Sequence, residues 1–467
     1  MTLGTEKCAF VHLKSGKIQT SENIELMDLS RFPSLPNNET YKYLGMQQAL
    51  TIDQTPAKEQ IRKAMCNRLK LVLNTELYAL AKATAINAWV IPIVTYSFGV
   101  LRWSQTDLEQ MDRLIRTSLT KKRLHHPKSS MSRLYLPRKS GGRGLKNLQE
   151  SHAKEVGKLH SYLKTVTHPL HQAIVSLDHN ITPMHLSANA APISENKNFV
   201  MDLEQKWKEK ELHGRYAAVL NSDVVDKQLS TMYLVKGQLL METEGFVGAI
   251  QDQVMATRNY RKYILKQNLA HDRCRLCNNA SETIQHLSSG CSYLAPRDHK
   301  NRHDDAAKIL HQAICHKFGL VQDTVPYYKY SPKDVLENEE AKIYWDMAVI
   351  TDREISHNRP DILIFTKKEN TARIIDITIP ADHNILEARN QKISKYLDLA
   401  HEIKAIYQLA EVTIHPFVIS ANGLIEKRTF NELERLSIED RKEVIVAAQK
   451  AILLGTCRTV RRVLNHE

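Results

Sequence analysis

Arg359-Pro360-Asp361-Ile362-Leu363-Ile364-Phe365-Thr366, then Lys367-Lys368-Glu369-Asn370, then Thr371-Ala372-Arg373-Ile374-Ile375-Asp376-Ile377-Thr378-Ile379-Pro380, is the stretch that decides how this chain reads. Two apolar, β-branched runs flank a polar connection suited to a hairpin. Side chains alternate along the second run, which places Ile375, Ile377 and Ile379 on one face and Ile374, Asp376 and Thr378 on the other. Asp376 therefore points away from a clean apolar stripe. After Pro380, Ile393, Leu397, Ala400, Ile403 and Tyr407 recur at helical spacing, and Lys392, Lys395 and Tyr396 lie together at the edge of that face. Val412 to Ser420 reads as one more strand.

Two carboxylates on neighbouring strands with a lysine nearby are the parts of a metal-dependent site that cuts DNA. Asp361 and Asp376 are expected to hold Mg²⁺ or Mn²⁺, while Lys392 or Lys395 supports the nucleophile and steadies charge on the attacked phosphate. The sequence does not choose between the two lysines. Asp346 and Glu354 are weaker candidates for a third ligand. The order strand, strand, helix, strand resembles the PD-(D/E)xK restriction-like nuclease fold. Its usual lysine position, two residues after the second acid, is Thr378 here, so the resemblance requires a lysine that has moved to the helix.

Working upstream, Cys274-Arg275-Leu276-Cys277 is followed by His286 and Cys291. Two cysteines two residues apart form a chelating turn, and a His and Cys four residues apart close a tetrahedral site, so these four are read as ligands of a closed, structural zinc. His271 and His299 break the spacing and are assigned to the surface or to the support of the ligands. Cys8, Cys66, Cys315 and Cys457 are taken as buried thiols. Arg258, Arg261, Lys262 and Lys266, just before the knuckle, fall on one helical stripe and are expected to track phosphates.

The 467 residues suffice for about three domains. A net charge of +13 and a pI near 9.2 favour a polyanionic partner. Seven cysteines, three of them assigned to zinc, argue against a disulfide framework. No signal peptide is visible at Met1, and Ala85 to Leu101 is apolar but short and interrupted, which suits a core helix pair better than a membrane span. A β-rich stretch ends near Ile52, after which helical patterns dominate. Ile61, Met65, Leu69, Val72, Leu73 and Leu77 form one apolar stripe, and Leu108, Met111, Leu114, Ile115 and Leu119 form another. Thr120-Lys121-Lys122-Arg123 with His125, His126 and Lys128 follows the second stripe and reads as a basic helix end in solvent or, by resemblance to a polymerase thumb, as a contact with duplex backbone. Asp178 to Asn198 is the best candidate for a flexible linker.

The knuckle, the Arg302-His303-Asp304-Asp305 run after it, and the Asp361/Asp376 pair together resemble the C-terminal half of non-LTR retrotransposon polyproteins with a restriction-like endonuclease, the type that inserts into ribosomal RNA genes. Leu134-Tyr135-Leu136-Pro137-Arg138, Gly141-Gly142-Arg143-Gly144-Leu145 and Glu242-Thr243-Glu244-Gly245-Phe246 are similar to segments joining thumb to knuckle in that family. Glu6-Lys7-Cys8-Ala9-Phe10 and Tyr41-Lys42-Tyr43-Leu44-Gly45 are similar to its last two palm motifs. The paired-aspartate polymerase motif of the family precedes both, so the resemblance implies a chain without a polymerase site: a truncated element, a mis-started gene or a domesticated remnant.

The resemblance implies a multidomain α+β protein. Its expected parts are a palm remnant with primer grip (1–52), a thumb-like helical domain (53–150), a helical linker region (151–270), a CCHC zinc knuckle (271–320) and an α/β restriction-like nuclease domain with a C-terminal helix (321–467). It also implies Arg302 and His303 at nucleic acid, duplex DNA and element RNA as partners, a nuclear location, and nicking of target DNA to prime reverse transcription. The alternative is a nucleic-acid-binding remnant that no longer cuts.

Overall fold

The computed structural model describes residues 8–15, 17–19, 21–25, 31–35, 41–43, 46–48, 54–179, 182–187 and 196–465. These fall into two compact units interleaved along the chain. One comprises Met1–Thr75, Ala85–Ser118 and Lys146–Lys197, and the other Glu76–Thr84, Leu119–Leu145 and Asn198–Glu467. Of the two palm-like motifs, Glu6, Lys7, Leu44 and Gly45 lie outside the described residues, as do 180–181 and 188–195 of the expected linker.

The first unit begins with three short antiparallel hairpins: β1 (His12–Lys14) with β2 (Lys17–Gln19), β3 (Ile24–Glu25) with β4 (Arg31–Phe32), and β5 (Tyr41–Tyr43) with β6 (Met46–Gln48). The first apolar stripe forms the helix Gln54–Leu73 and buries Met65, Leu69, Val72 and Leu73; Leu77 lies beyond the helix end and is exposed. The second stripe forms Gln105–Lys121 and buries Leu108, Met111, Ile115 and Leu119. Ile86, Val90, Ile91, Val94, Phe98 and Leu101 are all buried, which makes this apolar stretch core. No helix among the described residues is long and apolar enough to cross a membrane. Asp112 is a buried acid here. It accepts the Leu148 amide at 3.1 Å and the Asn147 side chain at 3.0 Å at the start of helix Leu148–Thr165, and burial pushes its carboxyl up to about 7.

The second unit contains a five-stranded sheet in the order β11-β10-β9-β8-β7, formed by β7 (Val335–Glu337), β8 (Ala341–Trp345), β9 (Ile362–Thr366), β10 (Thr371–Thr378) and β11 (Glu411–Val418). The fold is thus mixed α+β. β9 and β10 are the expected hairpin, antiparallel with Thr366 opposite Thr371. Asn370 closes the turn at φ 52°, a backbone conformation that Asn tolerates. β11 runs parallel to β10, with Asp376 opposite Pro416. A parallel neighbour needs a crossover, which two helices, Ile385–Lys395 and Leu397–Ile406, supply. β7 and β8 extend the other side of the sheet.

The alternation along β10 sorts its side chains between two cores. Ile375 and Ile377 pack with Ile362, Ile364, Ile343 and Phe417 against Ala306, Leu310 and Ile314 of the helix Lys300–Lys317 and against Ile445, Ala448 and Ile452 of the helix Arg441–Asn465. Ile374 packs on the opposite face with Leu363, Ala372, Tyr396, Leu399 and Ile403. Each fully buried aliphatic chain contributes roughly 1.5–3 kcal/mol, so a slip of one residue along β10 would exchange both cores.

The helical stretch after Pro380 breaks at Tyr396 (φ −108°, ψ 7°). Tyr396 is fully buried, whereas Leu397 and Tyr407, expected on the apolar stripe, are 46% and 48% exposed. The break turns Tyr396 inward where a continuous helix would have presented its neighbours.

A buried charge cluster joins three of the segments singled out in the sequence. Arg138 and Arg143 both donate to Glu244, at 2.6 and 3.0 Å, and Arg133 pairs with Asp252 at 3.1 Å. His125, considered for duplex backbone, is buried among these groups. Burial, followed by the charges of Arg143 and Arg133, lowers its pKa to about 3, so it is neutral and faces inward.

Candidate zinc and nuclease centres

The knuckle opens with a short hairpin loop. Cys274 N–H donates to Ala280 O at 2.8 Å, Arg273 bridges Ser281, and Asn278 adopts φ 54° to reverse the chain. The turn at His286–Gly290 then carries His286 and delivers Cys291. The ligand atoms of Cys274, Cys277, His286 and Cys291 all lie within 4.8 Å of one another. Cys274 Sγ is 3.9 Å from Cys291 Sγ, and Cys277 Sγ is 3.2 Å from His286 Nε2. Tetrahedral zinc with bonds of about 2.0–2.3 Å spaces its ligands by roughly 3.5 Å, so this cluster can bind a structural metal such as zinc. Burial pushes the Cys291 thiol up to about 12, and a bound cation would stabilise the thiolate that burial disfavours. Leu276, Leu287, Leu294 and Val463 enclose the group. His299 is no ligand, since its Nε2 lies 3.0 Å from Leu287 O, and His271 is exposed.

The β9–β10 hairpin positions both carboxylates. Asp361, just before β9, accepts the Ile377 amide on Oδ2 at 2.7 Å, and this ties it to the residue after Asp376. Asp376 is 1% exposed. Three groups from the helical segment converge on it: Lys392 Nζ lies 2.5 Å from Oδ2, Lys395 Nζ 3.7 Å from Oδ1, and the Tyr396 hydroxyl donates to Oδ1 at 2.6 Å. The lysines differ in what they touch. Lys392 meets the carboxylate directly, while Lys395 donates to the Tyr396 hydroxyl at 2.8 Å and lies over its ring. Burial, then the Asp376 carboxylate, raise the Tyr396 phenol, so it stays protonated as a donor.

Neither weaker candidate for a third ligand joins this group. The Asp346 carboxylate is held by Arg359 through two hydrogen bonds of 2.8 and 3.0 Å, and Glu354 is exposed. His303, reached from the helix Lys300–Lys317, does join it. Its Nε2 is 3.1 Å from Asp361 Oδ2 and 3.1 Å from Ile377 O, and its Nδ1 is 3.2 Å from Asp304 Oδ1. Burial opposes charge on His303, but hydrogen bonds to Asp304 and Asp361 overcome it and raise its pKa to about 10. Burial likewise opposes charge on Asp361, yet the His303 hydrogen bond holds it below the usual carboxylate range.

Arg302 requires a correction. It was expected at nucleic acid but is 3% exposed, with its guanidinium bonded to Thr456 at 2.9 Å and its stem lying against Gly455, where an added Cβ would come within 2.8 Å. The single basic stripe is also corrected. The helix spans only Arg258–Tyr263, and Lys266 lies past its end at φ 53°. Lys262 caps Ala270 O at 3.1 Å.

Arg258 and Arg261 instead line a cleft of about 810 Å³ together with Arg275, Arg297, Arg462 and Tyr293. Arg275 is held by Glu282 at 2.9 Å and Arg462 by Asp298, which fixes both side chains on the wall. The last three arginines carry no helical period that could have grouped them in sequence. No protein-family model matches the chain, and no curated protein matches it significantly.

Proposed function

We propose that this chain is the nucleic-acid-binding and DNA-nicking portion of a non-LTR retrotransposon protein, acting as a metal-dependent, restriction-like endonuclease in the nucleus. The observation that carries the reading is the convergence of Lys392, Lys395 and Tyr396 on a buried Asp376, with Asp361 on the adjoining strand end. Asp376 Oδ2 is buried with an ion-pair neighbour but no aligned hydrogen-bond donor, and two hard carboxylates suit Mg²⁺ or Mn²⁺ better than a softer ion. Asp361 and Asp376 would hold that cation, which when bound supplies charge neutralisation at the phosphate and eases ionisation of water.

The chain's own groups do the rest. Tyr396 fixes the Asp376 carboxylate, Lys392 brings an ammonium to where charge builds on the phosphate, and the arginine-lined cleft beside the knuckle holds the nucleic-acid backbone. The partners are duplex DNA and element RNA, and the knuckle zinc is structural. That cleft also favours a second reading, nucleic-acid binding without cleavage, because it does not depend on either aspartate. Supercoiled plasmid incubated with Mg²⁺ or Mn²⁺ separates the two. Open-circle product from wild type and none from Asp376→Ala supports the endonuclease, whereas retention of plasmid by both without nicking supports the binding module.

A further inference from the structure

The helix Lys300–Lys317 is anchored at both flanks of its first turns. His299 contacts Leu287 O within the knuckle, and Arg302 is locked against Gly455 and Thr456 of the C-terminal helix. The next residue, His303, is thereby directed at the sheet, where its Nε2 faces two oxygens, Asp361 Oδ2 and Ile377 O. A backbone carbonyl only accepts, so Nε2 carries a proton. A protonated nitrogen has no lone pair for a metal, which rules out His303 as a ligand through that atom. Both contacts on Asp361, from His303 and from the Ile377 amide, fall on Oδ2. A carboxylate pinned by two donors on one oxygen presents the other in a fixed direction.

We propose that His303 is a positioning residue of the nuclease centre: it orients the Asp361 carboxylate for the cation and ties that orientation to the knuckle-anchored helix. This rests on the reading of Asp361 and Asp376 as the cation site. It also assigns His303 a different part from the nucleic-acid contact that the family resemblance implies.

The test compares His303→Ala, His303→Gln and His303→Asn in the full chain. A Gln amide reaches the position of Nε2, while an Asn amide reaches only that of Nδ1. Free Mn²⁺ is titrated against each protein without DNA and read by electron paramagnetic resonance, with zinc content, melting temperature and DNA affinity measured alongside. The expected result is Mn²⁺ affinity lowered about 10–100-fold in the Ala and Asn variants and restored to within a few-fold by Gln, with DNA affinity unchanged. Because Gln and Asn are both polar and close in size, their difference survives even if Ala disturbs folding. Equal Mn²⁺ affinity in Gln and Asn overturns the proposal, as does loss of DNA affinity with Mn²⁺ binding intact. Asp361→Asn and Asp376→Asn are titrated in parallel. If these bind Mn²⁺ like wild type, or if wild type binds none, the cation site itself is wrong and the proposal falls with it.

Discussion

Replacing Tyr396 with Phe isolates what holds Asp376 in place. The ring is fully buried and would stay, so no cavity opens beyond one oxygen. What goes is the hydroxyl that donates to Asp376 Oδ1 at 2.6 Å and accepts from Lys395 at 2.8 Å. A hydrogen bond to a charged group contributes about 1.5–3 kcal/mol, and here a nearly inaccessible carboxylate would lose a donor that water cannot replace. For a folded unit of roughly 300 residues, an unfolding entropy of about 2.1 cal/mol/K per residue makes each kcal/mol worth roughly 1.6 °C, so the melting temperature should fall by roughly 2–5 °C. Nicking at saturating Mg²⁺ should fall about 10–100-fold, because the Asp376 carboxylate would lose the hydroxyl that fixes its Oδ1. Thermal unfolding by circular dichroism and plasmid nicking read the two effects. A melting temperature within 1 °C of wild type together with undiminished nicking would refute the argument that Tyr396 organises this carboxylate.

The two lysines should separate: Lys392→Ala, which removes the ammonium nearest Asp376, should lower the nicking rate far more than Lys395→Ala, measured at saturating DNA and Mg²⁺. Purified protein should contain about one equivalent of zinc by metal analysis, lost in Cys277→Ser, and that variant should also bind Mn²⁺ less tightly because the knuckle anchors the helix carrying His303. Asp112 titrates near 7 when folded against 3.8 as its ordinary value. Between those values the folded state keeps a proton that the unfolded state has lost, so stability falls as pH rises from about 4 to 7 and then levels off. At about 1.4 kcal/mol per unit the loss approaches roughly 4 kcal/mol, so Asp112→Asn should melt above wild type at pH 8 and close to it at pH 4. Equal melting temperatures at pH 8 would contradict it.

What could be read in the sequence was what local spacing encodes. The hairpin around Lys367–Asn370, the faces of β10, and the Cys-Cys-His-Cys cluster follow from period-two alternation and chelate spacing, and the structure has them. Lys392, Lys395 and Tyr396 were placed together because neighbours on one turn stay neighbours in most folds.

Most of what spacing alone misses depends on contacts between distant segments. β7 and β8 are only three and five residues long, too short for alternation to mark them. At the break, the Tyr396 hydroxyl meets Asp376, twenty residues earlier. Arg302 and His303 look like an ordinary polar helix start until Gly455 and Asp361 occupy their two sides. Lys266 kept helical spacing after the helix had ended. For Tyr396, Arg302 and His303 the partner lies in another segment, where a pattern in one window has nothing to say about it, whereas Lys266 sits in a local turn closed by the Gln267 amide on Arg261 O.

The most direct test of the central claim measures binding and cutting on the same labelled duplex, with wild type and the Asp361→Ala/Asp376→Ala double variant in Mg²⁺. The account predicts that the two proteins bind the duplex with nearly equal affinity, because the arginine-lined cleft is untouched, and that only wild type cuts it. Equal cleavage by both proteins would contradict the assignment of the two aspartates, and binding without cleavage by both would contradict the endonuclease.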